Sequence, residues 1–127
     1  MIIRDYESAS DIVSQPAHAW ISAQIALQWG GNGFLRNEPW YDVSLAAFHH
    51  DSGWLQWETQ PQLNKETGRP YDFKSVPIEE HIKIWEKSAN FIGLSSRYAR
   101  LLVSRHVVGL SNMHDLIICH SLYAWVT

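Results

Sequence analysis

One cysteine, Cys119, is too few for an intrachain disulfide framework or a cysteine-rich zinc site in this chain of 127 residues. A reducing compartment, the cytoplasm, is the expected setting. Long apolar runs are missing too. None approaches the ~18 residues that a membrane-spanning helix needs. Asp5 and Glu7 occupy an opening segment in which a secretion signal would carry basic charge. Neither a membrane span nor export is expected. A basic excess is also lacking: ten Lys and Arg stand against thirteen Asp and Glu, for a net charge of −3 and a pI near 6.1. Nucleic acid is therefore a poor partner, although Arg97, Arg100 and Arg105 form a local cluster able to meet a phosphate.

Aromatic bulk is what the chain has in plenty, with seven Trp, five Tyr and four Phe. Side chains of that size must fill an interior or wall a pocket. The length fits one domain over residues 1–127, within the ~100–200 residues usual for one.

Ile2 and Ile3 suit a short edge strand. Ser14-Gln15-Pro16 reads as a helix start, and a first helix is expected to run to Trp29 and stop at Gly30-Gly31-Asn32-Gly33. His18, Ile21, Ile25 and Gln28 recur at spacings of three and four and are expected to face the core. A second helix opens at Glu38-Pro39, carries Val43, Ala46, Ala47 and His50 on one side, and breaks at Ser52-Gly53. From Trp54 to Val76 the periodicity is lost and a long loop is expected. Ser75 as cap and Pro77 in the first turn start a third helix with His81, Ile84, Trp85 and Ser88 inward. Beyond Gly93 a fourth helix carries Tyr98, Leu101, Leu102 and His106, and Gly109 to Asn112 connect it to a fifth over Met113 to Trp125. The expected fold class is all-α, a bundle of about five helices with a short N-terminal strand and a long loop after the second helix.

The apolar run Val43-Ser44-Leu45-Ala46-Ala47-Phe48 ends in His49-His50-Asp51-Ser52-Gly53, which delivers an imidazole and a carboxylate together at a helix end. A His-Asp pair alone is common. Here His18, His81 and His106 each fall on a different expected helix, and a bundle can bring such single side chains to one metal. Neutral imidazole suits Zn, Fe, Ni and Co, while a carboxylate beside it can bridge two ions. Such a site generates metal-bound hydroxide near neutral pH.

The series His18, His50-Asp51, His81 and His106 resembles the HD-domain superfamily of metal-dependent phosphohydrolases, with Ala46-Ala47-Phe48-His49-His50-Asp51-Ser52-Gly53 matching its helix-ending motif. More narrowly, the stretch from His50 to Glu58, the segment Gly68-Arg69-Pro70-Tyr71-Asp72-Phe73 and Ser104-Arg105-His106 look like an HD-like bacterial family known only as a domain of unknown function. The resemblance implies an HD-domain-like bundle in which His18, His50 and Asp51 hold one divalent ion. Asp51 then bridges to a second ion held by His81 and His106. Fe, Mn, Zn, Ni and Co all fit such donors. HD domains close the first site with an Asp on a later helix. The matching place here holds His120, and Asp115 lies about a turn early. Either His120 replaces that Asp, or the chain is a member shortened at its C-terminus that lacks the last ligand.

The resemblance implies first a hydrolase of a small phosphorylated molecule, with Asp51 as its catalytic residue. Arg69, Lys83 and Arg105 are candidates to bind the phosphate, and Trp54, Trp57 and Tyr71 to wall the pocket. His49 reads as a neighbour of the site and not a ligand. Two other readings stand beside this one: an HD-like di-iron oxygenase, and a non-catalytic domain that binds a ligand or partner through an incomplete site. The expected last helix, reaching Trp125, leaves room for a homo-oligomer.

Overall fold

Four residues of hydrophobic β-branched character, Ile2, Ile3, Ile12 and Val13, fold the N-terminus into a hairpin. In the computed structural model, which describes residues 1–111, β1 (Ile2–Asp5) pairs antiparallel with β2 (Ser10–Val13) in the register Ile2↔Val13 to Asp5↔Ser10. Tyr6 N–H donates to Ala9 O at 2.9 Å across the turn. The all-α expectation is therefore corrected: the described residues combine five helices with a two-stranded sheet, a mixed α/β arrangement. A single edge strand at Ile2-Ile3 would leave its backbone groups unpaired, and Ser10–Val13 supplies the partner.

Helix α1 (Gln15–Gln28) starts where expected, with Ser14 Oγ accepting Ala17 N–H at 3.1 Å and Pro16 in the first turn. Its buried face is different from the expected stripe. Ala19 and Ala23 are each 1% exposed, whereas Ile21 and Ile25 are 50% and 58% exposed. Small alanines let α1 lie close against α2 (Trp40–His49), and that close approach outranks burying the larger isoleucines.

The expected loop after α2 contains a short helix, α3 (Trp54–Thr59). Trp54 and Trp57, one turn apart, anchor it: Trp54 is buried with Val76 and Ile84, and Trp57, Tyr71 and Phe73 pack on that cluster. Residues 60–77 remain irregular, organised by short polar turns. Asp72 Oδ1 accepts Ser75 N–H at 2.8 Å, Lys74 N–H at 3.1 Å and the Ser75 hydroxyl at 2.6 Å. Ser75 thus closes this turn and does not cap a helix; α4 (Ile78–Gly93) begins after Pro77. Phe73 N–H donates to Met1 O at 2.8 Å, which ties the segment to the hairpin.

The core is built by α2, α4 and α5 (Arg97–Ser111) around Ala46, Ala89, Ile92, Ala99 and Val103. Ala99, Val103 and Val107 are the buried stripe of α5, so Tyr98 and Leu101 of the expected stripe face outward. Gly109 lies inside α5 and makes no connection. The expected fifth bundle helix over Met113–Trp125 lies outside the described residues. No helix among the described residues is long and apolar enough to cross a membrane.

The turn between α2 and α3 comes into van der Waals contact with α4 at Gly53. Its N–H donates to Ser88 Oγ at 2.8 Å, and a Cβ there would stand 1.9 Å from Ile84 O. Only glycine permits this approach, and it sets the position of His50 and Asp51 just before it.

Candidate metal centre

His18 comes from the first turn of α1, and His50 caps the C-terminal end of α2 with Asp51 directly after it. One ligand atom from each of these three side chains lies within 4.8 Å of the others. His50 Nδ1–H donates to Ala47 O at 2.7 Å, since a carbonyl can only accept. That bond fixes the tautomer and leaves the Nε2 lone pair free, 3.3 Å from Asp51 Oδ2. Ligand atoms at ~2.0–2.2 Å from one ion stand roughly 3–3.5 Å apart, so this is a ligand-to-ligand spacing.

His106 on α5 stands edge-on to His50, with ring centroids 5.1 Å apart, and His18 stands edge-on from the other side at 5.4 Å. Desolvation, followed by repulsion from His50 and His18, holds His106 below the ordinary imidazole range. His106 is exposed overall and lines the cavity, so desolvation acts on only part of its ring. It is neutral near pH 7, the form that ligates a cation. Asp51 is 6% exposed. Burial pushes its carboxyl above the usual range, His50 and His18 pull it back down, and Glu58 pushes it up again. A buried carboxylate beside two imidazoles is a costly arrangement that a cation would relieve. The donor set therefore fits a divalent ion of borderline character.

These groups face a cavity of about 480 Å³. His81 lines it as well, stacked on Trp85 at 4.1 Å and edge-on to Trp54 at 5.2 Å. It shares the cavity but lies outside the compact group of His18, His50 and Asp51. The structure thus brings His18, His50, Asp51, His81 and His106 to one place. His120 lies outside the described residues.

The expected phosphate and wall residues divide differently. Trp54 lines the cavity, while Trp57 and Tyr71 support it from behind in the same aromatic cluster. Arg69 is held at the hairpin, donating to Asp5 Oδ2 at 3.0 Å and to Ser10 Oγ at 2.9 Å. Lys83 pairs with Glu80 at 2.7 Å on the exposed side of α4, and Arg105 is exposed on α5. None of the three lines the cavity. Lys74 and Gln15 do, and sequence reading passed over both. Gln15 carried a signal, because it precedes His18 by one turn and so shares its face. Lys74 carried a weaker one, an Asp-x-x-Ser turn that follows Tyr71 and contains Phe73.

His49 turns away from the cluster. Its Nδ1 meets Ser52 Oγ at 3.0 Å and its ring packs on Phe91 at 5.2 Å. Desolvation lowers its pKa, so the unfolded chain binds protons more readily there. Stability from this site is therefore present above the unfolded value of ~6.5 and declines as pH falls below it. His49→Ala is expected to leave metal content unchanged and to flatten the loss of stability between pH 7.5 and 5.5, as read from denaturant melts of the metal-free protein.

The chain belongs to a family whose function is undefined: the family described as "Protein of unknown function (DUF3891)" matches residues 1–116. That match carries no link to the HD superfamily. No curated protein and no solved structure matches the chain.

Proposed function

We propose that the protein is a metal-dependent hydrolase of a phosphate ester on a small cytoplasmic molecule, as the likeness of its His-Asp motif to HD phosphohydrolases implies. The observation that carries the reading is the convergence of His18, His50 and Asp51 within 4.8 Å, with His50 oriented by the Ala47 carbonyl. In this reading His18 and His50 donate imidazole nitrogens and Asp51 supplies the compensating charge. A bound divalent ion would provide a hydroxide near neutral pH and polarise a phosphoryl oxygen. Trp54 and Trp85 exclude water from one wall, which strengthens every charge interaction inside the cavity.

The compact group contains a single carboxylate and two imidazoles, which supports one ion rather than two. His106, next to His50, is placed to complete its shell. Elemental analysis after growth in metal-supplemented medium, together with hydrolysis of a generic aryl phosphate, tests the proposal. One equivalent of a divalent metal and metal-dependent hydrolysis are expected. Protein that takes up no divalent ion at micromolar free metal, with all three residues intact, would overturn it.

A further inference from the structure

Two polar side chains that line the cavity are not used by the metal ligands. Gln15 is 6% exposed, and its Oε1 is buried with no hydrogen-bond partner among the described residues. An acceptor left in that state is costly, and Gln15 lines the cavity, so a donor brought by a ligand would satisfy it. Its backbone is not free to withdraw, because Gln15 N–H is held by both oxygens of Glu58 at 3.1 and 3.2 Å. Lys74 is the second group. Among the described residues it is the only Lys or Arg lining the cavity, and its ammonium makes no salt bridge there. The Asp72 turn fixes its backbone, and its Nζ lies 5.6 Å from the centre of the Phe73 ring.

We propose that Gln15 and Lys74 form a recognition pair for an oxyanion that itself carries a hydrogen-bond donor. Lys74 meets the negative charge and Gln15 Oε1 accepts the ligand's O–H. Hydrogen phosphate and singly protonated phosphomonoesters satisfy both groups. Sulfate has the charge and the shape but no proton near neutral pH, and it leaves Gln15 unpaired. The pair thus selects protonated phosphate over sulfate. This deepens the phosphate-ester reading and rests on it for the ligand's place beside His18, His50 and Asp51.

Calorimetric titration with inorganic phosphate and with sulfate, on metal-free and metal-loaded protein, tests the pair. The parent is expected to prefer phosphate about ten-fold, the value of one satisfied buried acceptor. Gln15→Met, close in volume, is expected to abolish the preference, and Gln15→Leu serves as a second variant should Met pack badly. Lys74→Gln is expected to weaken both anions about ten-fold, and Lys74→Arg to restore most of that loss. Equal affinity of the parent for the two anions overturns the role of Gln15. Unchanged affinities in Lys74→Gln overturn the role of Lys74, and no binding of either anion overturns both. Metal content measured on the same samples judges the metal reading separately: a parent without metal that still discriminates phosphate from sulfate sinks the hydrolase reading and leaves the pair standing.

Discussion

Asp51→Asn is expected to abolish metal binding while making the metal-free protein more stable. Asn keeps the volume and the shape but removes the charge. Loss of a partner one step beyond a metal ligand typically costs 10- to 100-fold in affinity, so loss of the carboxylate ligand itself should exceed about 100-fold. The stability effect runs the other way. Burial raises the Asp51 pKa above its ordinary value. The folded state then holds the proton more tightly than the unfolded chain, and the charged form lowers stability once pH rises through the folded pKa. That cost grows in the metal-free parent as pH rises above the ordinary carboxylate range and is absent in the variant. Denaturant melts with and without metal check both halves. In the parent, metal at 100 times its dissociation constant should add about 2.7 kcal/mol, and Asp51→Asn should gain nothing. A variant that is less stable than the metal-free parent would mean that Asp51 is held by bonds that its charge strengthens, and a retained metal response would move the ligand role elsewhere.

Gly53→Ala carries the largest expected cost in stability. The added Cβ would stand 1.9 Å from Ile84 O and 2.8 Å from Ser88 Oγ, and the first of these is backbone in the middle of α4. A flexible side chain could rotate aside; a helical carbonyl cannot, so the α2–α3 turn must back away. Insertion into well-packed structure costs typically 1–3 kcal/mol, and backbone displacement should take this variant to about 4 kcal/mol. The Gly53 N–H would lose Ser88 Oγ as well. Because Asp51 precedes Gly53 by two residues, metal affinity should fall together with stability. Ser88→Ala separates the two contributions, since it removes the acceptor without the clash and should cost about 1–2 kcal/mol. Gly53→Ala as stable as the parent would show that the turn does not approach α4 as described.

Helix ends were legible because capping is local chemistry. Ser14 followed by Pro16 could be read as the start of α1, and Gly93 as the end of α4. Ser75 misled for a related reason: serine serves caps and turns through the same hydroxyl, and here Asp72, three residues earlier, captures it. The partner strand Ser10–Val13 was not legible. Two β-branched residues after a polar pair make no alternation, and only pairing with Ile2–Asp5 turns them into a strand. Which face of α1 is buried was misread because periodicity weighs size and apolarity, and helix contact here rewards smallness. Ile21 and Ile25 stay outside while Ala19 and Ala23 meet α2.

By itself the sequence determined the donor types, His and Asp, and their distribution, with His18, His50, His81 and His106 on four separate helices and a carboxylate beside His50. It could do so because an amphipathic stripe carries a polar residue inward wherever that residue falls on it. The tertiary structure alone decided which donors meet. It placed His18, His50 and Asp51 in one compact group and set His81 against Trp85. It also turned Arg69 to Asp5 and brought Lys74 and Gln15 to the cavity instead. Distances between side chains on different elements depend on how closely those elements approach. That approach is set here by residues with no chemistry of their own, the alanines of α1 and the bare Cα of Gly53.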